Sequence, residues 1–267
     1  MNPVTAAGTP GQREMAGGKP DAAVEFTGVS KRFGDGTLAL LPVSFCARPG
    51  EFVAIVGPSG CGKSTLLRLA AGLTAASTGT LAVGARNVGY VFQDPTLLPW
   101  RSVQRNVELL GELHGVPKPQ RRAAARDAIA AVGLSGFEDK YPRALSGGMK
   151  MRASLARALT MSPDVFLFDE PFGAVDEITR ERLNDELLRL FQARHFAALF
   201  VTHSVTEATF LASRVLVMSD RPGRILTDLA VPFPYPRRPE LRYDPAFAQV
   251  TGKIGAALRS ESGGDSK

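Results

Sequence analysis

The sequence predicts an α/β fold around a mostly parallel sheet, with an all-helical segment inserted into its middle. Three observations carry this expectation: short apolar runs alternate with helix-period patterns, a glycine-rich turn joins one such run to a helix, and the middle of the chain reads as helix after helix. No internal repeat appears, so each working part is encoded once.

In chain order, residues 1–23 are mostly Ala, Gly, Pro, Thr and polar side chains without periodicity, which predicts a flexible tail. The folded domain is expected over 24–230. Phe52 to Val56 is an unbroken apolar run between turn residues, hence a buried strand, and Lys63 to Ala71 continues at helical period. Val88 to Phe92 is the next strand. From about Ser102 to Met161 no strong strand pattern occurs, which makes an insert of about 95–162 all helical. Strands then return at Val165 to Phe168, Ala198 to Val201 and Val215 to Met218, with helices at Glu181 to Arg194 and Val205 to Ala212. Residues 231–267 read as an extension whose end, from Ser260, has the composition of the first tail.

With 44% hydrophobic and 22% charged residues, the composition is that of a globular chain and excludes collagen, coiled coil and wholesale disorder. Lys and Arg exceed Asp and Glu by 32 to 26, a net charge of +6 that suits nucleotides, nucleic acid or a lipid surface without choosing among them. Cys46 and Cys61 are too few for a disulfide framework and fit a reducing cytosol. No run approaches a membrane span, and the first twenty residues lack the pattern of a signal peptide. The expected location is cytoplasmic, with docking to a membrane protein left open.

Gly57, Pro58, Ser59, Gly60, Cys61, Gly62, Lys63, Ser64 and Thr65 match G-x-x-x-x-G-K-[ST] between an apolar strand and a helix. Glycines let the backbone wrap a phosphate chain, so amide donors and the helix dipole face the anion. Lys63 then reaches the β and γ phosphates, and the Ser64 hydroxyl can ligate Mg²⁺. The same donors would favour a thiolate at Cys61. Val165 to Phe168 runs into Asp169 and Glu170, two acids at the strand end where an open α/β sheet binds ligands. Asp169 is expected to hold Mg²⁺ and Glu170 to orient or deprotonate the attacking water. Ser146 is a natural N-cap, and Gly147 and Gly148 after it would let another molecule approach the free amides of that helix. His114 and His195 sit at helix ends and carry no motif, whereas His203 follows a strand at the ligand edge.

Together these pieces resemble the ATP-binding cassette (ABC) ATPases, over Val24 to about Leu229 and in family order. The resemblance implies the P-loop NTPase core with an N-terminal antiparallel β subdomain and a helical subdomain. It implies that Phe33 stacks on adenine, that Gln93 touches metal and water beside a transmembrane partner, that Asp176 lies in the loop joining two copies, and that His203 sits near the γ phosphate. It implies ATP and Mg²⁺ as ligands. Two copies would sandwich two ATP molecules, each phosphate loop facing Ser146, Gly147 and Gly148 of the other copy, and separate membrane permease subunits would receive the motion. Leu97-Leu-Pro-Trp-Arg101, Phe172 to Arg180 and Arg221-Pro-Gly-Arg-Ile225 look like the ATPases of nitrate, taurine and alkanesulfonate importers, which work with a solute-binding protein outside the membrane. Similar strings occur in importers of pyrimidine precursors. Trp100 is also open to a plain packing role in the insert. Phe33 replaces a more usual Tyr, Met151 a Gln and Val175 a Leu, without loss of a catalytic group.

Two rivals are weaker. A nucleic-acid or ribosome cassette would suit the charge, but it would carry a long coiled coil between the phosphate loop and the signature motif, here Leu145 to Met149, or two cassettes in one chain. A kinase or GTPase would leave Leu145 to Met149 unexplained. Nucleic acid is therefore not expected as a partner.

Overall fold

The computed structural model describes residues 22–262. The tail expected at the N-terminus therefore lies outside the described residues except for Ala22 and Ala23, as do residues 263–267 at the other end.

Two sheets form the scaffold. β1 (Val24–Arg32), β2 (Leu38–Ala47) and β4 (Thr78–Val83) make an antiparallel sheet in the order β2-β1-β4, which is the expected N-terminal β subdomain. The second sheet has the order β5-β6-β7-β3-β8-β9, with β3 (Phe52–Val56), β5 (Val88–Val91), β6 (Val165–Asp169), β7 (Ala197–Thr202), β8 (Arg214–Met218) and β9 (Ile225–Ala230). Its first five strands run parallel, and β9 returns antiparallel on the edge.

The central strands are buried on both faces, which is why they read as continuous apolar runs rather than alternating ones. Their side chains nevertheless divide with period two. Phe52, Ala54, Val56, Phe166, Phe168, Ala198 and Phe200 join one core, while Val53, Ile55, Val165, Leu167, Leu199 and Val201 join the other. The first core includes the helical insert and the last helices. The second packs α1 (Lys63–Ala70) and the antiparallel sheet against the opposite face.

The insert is helical as expected: α2 (Val103–Val107), α3 (Leu109–Leu113), α4 (Lys118–Ala131) and α5 (Gly147–Leu159), with no strand between β5 and β6. Trp100 is 71% exposed on it, so simple packing does not account for this residue. Met151 is buried in the first core. α6 (Glu177–Arg194) begins four residues before the expected Glu181, because Asp176 caps it, and α7 (Val205–Leu211) follows β7. His114 and His195 are the C-caps of α3 and α6. After β9 the chain crosses to α8 (Pro245–Ser262), which packs Phe247 and Ile254 into the first core.

Candidate active site

β3 delivers the chain to the C-terminal edge of the parallel sheet, and residues 57–62 turn there before α1 begins at Lys63. Gly62 has φ +107°, and a Cβ on it would lie 2.7 Å from Leu40 Cδ2 and 3.0 Å from the Ala39 carbonyl. Both the backbone twist and the close approach require glycine. Lys63 is 4% exposed and donates to the carbonyls of Gly57 at 2.9 Å and Pro58 at 2.8 Å. Held this way, its ammonium stays over the loop it serves.

An open cleft of ≈ 400 Å³ lies over this turn. Phe33, Ser59, Gly60, Gly62, Lys63, Ser64, Thr65, Gln93 and Glu170 line it together with Ala39 and Arg221. Nine of the expected nucleotide and catalytic residues are thus brought to one place from four separate segments, whereas Gly57, Pro58, Asp169 and His203 do not line it. The Phe33 ring also carries the Lys31 ammonium 5.2 Å from its centroid.

The two acids divide their partners. Asp169 Oδ1 accepts from the Ser64 hydroxyl at 2.7 Å, and Oδ2 accepts from the Tyr90 hydroxyl at 3.1 Å. Burial and the Asp169 charge raise the Tyr90 pKa, so the phenol remains a donor. Glu170 adopts φ +46°, uncommon for a residue with a side chain, and its amide donates to the Val201 carbonyl at 3.0 Å. Its carboxylate sits 3.8 Å from Lys63 Nζ and 3.2 Å from His203 Nδ1. β6 and β7 are adjacent and parallel, with Asp169 opposite Val201, which is how residues 33 positions apart meet.

The oxygen set around Asp169 suits a hard cation. Among the described residues no group of three or more His, Cys, Asp or Glu could hold a metal. A Mg²⁺ carried by phosphates needs only one or two protein oxygens, and the hydrogen-bonded pair of Ser64 and Asp169 presents two.

Ser146, Gly147, Gly148 and Asp176 do not line this cleft. Ser146 caps α5 by accepting from the Met149 amide at 3.3 Å, and Ser146 and Gly147 are exposed. Gly148 is buried against α6, where a Cβ would stand 3.0 Å from Thr179 Cγ2. Asp176 accepts from the Thr179 amide at 3.0 Å, and these hydrogen bonds lower its pKa. The signature and the loop at Asp176 are therefore formed and accessible, but outside the pocket of their own chain.

The expected thiolate at Cys61 is corrected. The side chain is buried, absent from the cleft wall, and burial pushes its pKa up against the pull of Lys63. Its contribution to the loop is space rather than charge.

Sequence reasoning missed three residues here. Tyr90 belonged to the Tyr-Val-Phe-Gln string, yet its bond to Asp169 depends on strand pairing between β5 and β6. Arg180 donates to the carbonyls of Phe172 at 3.3 Å and Val175 at 3.1 Å and lies 3.9 Å from Glu207, tying the turn after Glu170 to α7. Glu207, whose pKa burial raises, accepts in turn from Thr202 beside His203. A carboxylate one turn into a helix gives no sequence signal for that role.

The ABC transporter family matches residues 40–173, from β2 through the phosphate loop, the helical insert and both acids. The chain belongs to that family. It is 47% identical over 238 residues to the aliphatic sulfonates import ATP-binding protein of Mesorhizobium japonicum, covering 87% of each chain. It is 41% identical to the nitrate import ATP-binding protein of Synechocystis sp., covering 83% of this chain and 88% of that one. A dimeric ATP-binding cassette solved in a post-hydrolysis state with ADP and phosphate shares 28% identity and superposes with a TM-score of 0.68 over 79% of this chain and 99% of its own. The protein is thus an ABC ATPase of an importer-type family that binds and hydrolyses ATP. Among the described residues no helix is long and apolar enough to cross a membrane.

Proposed function

We propose that this ATPase drives uptake of a small solute of the nitrate, sulfonate or taurine type through separate permease subunits on the cytoplasmic face of the membrane. The observation that carries the reading is the division of the site. Lys63 and Glu170 line one cleft, with His203 3.2 Å from Glu170, while Ser146 and Gly147 are exposed outside it. A second copy, placed head to tail, would bring its Ser146 hydroxyl and helix amides to the open side of that cleft.

In that arrangement Phe33 stacks on the base and the amides of residues 59–64 surround the phosphates. Lys63 exchanges two carbonyl partners for the β and γ phosphate oxygens, gaining charge-assisted bonds. Mg²⁺ would be held by Ser64 and Asp169 with Gln93 nearby, and when bound it neutralises charge on the phosphates. Glu170 accepts a proton from the attacking water as its oxygen bonds to the γ phosphorus. The bond from that phosphorus to the β–γ bridging oxygen breaks, giving ADP and inorganic phosphate. His203, hydrogen-bonded to Glu170, holds the carboxylate in place. Loss of the γ phosphate removes what the two copies share, and the pair opens.

The relatives named for sulfonate and nitrate import support the solute class, and a partner that delivers such a solute from outside would be a binding protein. Uptake of labelled taurine, an alkanesulfonate and nitrate, measured in cells with the gene deleted, tests the reading. One of these uptakes should disappear and return with the wild-type chain but not with Lys63→Ala. Undiminished uptake of all three would exclude the solute class.

A further inference from the structure

The hairpin between β8 and β9 takes no part in the chemistry above, although its Arg221 lines the same cleft as Lys63 and Glu170. Its position is fixed on two sides. The Gly223 amide donates to the Ala39 carbonyl at 2.9 Å and its carbonyl accepts from the Leu41 amide at 2.9 Å, which fastens the turn to β2. On the other side the turn packs against the phosphate loop so closely that a Cβ on Gly223 would lie 2.0 Å from the Cys61 carbonyl oxygen. Ser219 braces the turn from within by accepting from the Arg224 amide at 3.1 Å. The backbone that carries Arg221 is therefore held against the same turn that surrounds the phosphates.

Arg221 is exposed, and among the described residues no carboxylate pairs with it at ion-pair distance. Asp35, two residues from Phe33, has its pKa lowered mainly by hydrogen bonds to Thr37, and the Arg221 charge adds to that. The turn that carries Arg221 is fastened to β2 at Ala39 and Leu41, and Leu38 of β2 pairs with Arg32 next to Phe33, which puts Arg221 on the Phe33 side of the cleft. An unpaired planar cation on the wall of a cleft for a polyanion has an evident ligand, and its fork geometry matches a phosphate better than an ammonium does.

We propose that Arg221 is a nucleotide-binding residue that contacts the α-phosphate side of bound ATP. The proposal rests on the cleft being the ATP site. A contact at that end is made equally in ATP and ADP and is unchanged as the γ phosphate leaves, so it strengthens binding without altering the hydrolysis step. Being exposed, it weakens as salt screens it.

Titration of wild type, Arg221→Ala, Arg221→Lys and Arg221→Glu with ATP, ADP, AMP and adenosine, at low and high salt, tests this. Arg221→Ala should bind ATP, ADP and AMP about tenfold more weakly at low salt, with a smaller loss at high salt and no change for adenosine. Arg221→Lys should recover part of the loss and Arg221→Glu should exceed it. In ATPase assays KM should rise while kcat holds. Unchanged ATP affinity in both Arg221→Ala and Arg221→Glu would overturn the proposal. A loss equal for adenosine and AMP would overturn it too, since the contact would then be with the nucleoside. Lys63→Ala serves as the control for the parent reading: if wild type binds ATP and Lys63→Ala does not, the cleft stands whatever Arg221 does.

Discussion

The Ser64 hydroxyl donates to Asp169 Oδ1 across 2.7 Å, joining the first turn of α1 to the end of β6 over 105 positions of sequence. Of this hydrogen-bonded pair only the Asp169 carboxylate carries charge. Asp169→Asn keeps the shape and deletes that charge. Magnesium-dependent ATPase activity should fall by roughly 10² to 10³, the scale of losing one electrostatic stabiliser. Nucleotide binding in EDTA should stay near wild type. Equal loss of binding with and without magnesium would show that Asp169 supports the loop itself rather than a cation.

Cys61 supplies a test of loop geometry that needs no nucleotide. Burial penalises the thiolate, so the folded protein holds the thiol proton more tightly than the unfolded chain. The stability this contributes is present below the ordinary thiol pKa of 9.0 and is lost as pH rises through the higher folded value. In a Cys46→Ser background, maleimide at neutral pH should label native protein at least roughly a hundredfold more slowly than urea-unfolded protein. Labelling of the native form at the unfolded rate would mean that the loop opens far more than its packing allows.

A buried guanidinium closes the end of the helix that follows His203. Arg237 Nη1 donates to the carbonyls of Thr209, Phe210 and Ala212 at 3.0, 2.8 and 2.9 Å, and the Tyr235 hydroxyl donates to Leu211 at 2.6 Å. These are the carbonyls that α7 cannot satisfy within itself. Arg237→Ala leaves three of them buried without that donor and should cost about 3 kcal/mol in urea unfolding. Arg237→Lys should recover only part, because an ammonium lacks the fork. A change below about 0.5 kcal/mol for Arg237→Ala, ordinary for a surface site, would mean that water replaces the side chain.

Local pattern revealed the central strands because they are buried on both faces, and the phosphate loop because its spacing is imposed by one turn of backbone around an anion. What it did not reveal depends on partners distant in sequence. β9 is half exposed at the sheet edge and carries Thr227 and Asp228, so its run looks like loop until it pairs with β8. α8 contains Gly252 and Gly255, which weaken the helical signal, and is held by burial of Phe247 and Ile254. Arg237 and Tyr90 acquire their roles only when β9 turns back and β5 pairs with β6. The resemblance to a family supplied the antiparallel sheet and the roles of Phe33, Gln93 and His203, none of which spacing alone would have assigned.

The central claim is that the catalytic cleft is completed by a second copy of the chain while ATP is intact. Glu170→Gln keeps size and hydrogen bonding but removes the proton acceptor, so hydrolysis should fall by the 10² to 10⁴-fold typical of a lost general base. Binding should persist. Light scattering on a size-exclusion column, with MgATP and with MgADP, should then give twice the monomer mass for Glu170→Gln in MgATP alone, and the added change Ser146→Arg should return it to monomer. Monomeric Glu170→Gln saturated with unhydrolysed ATP would contradict the claim, as would a dimer that survives Ser146→Arg.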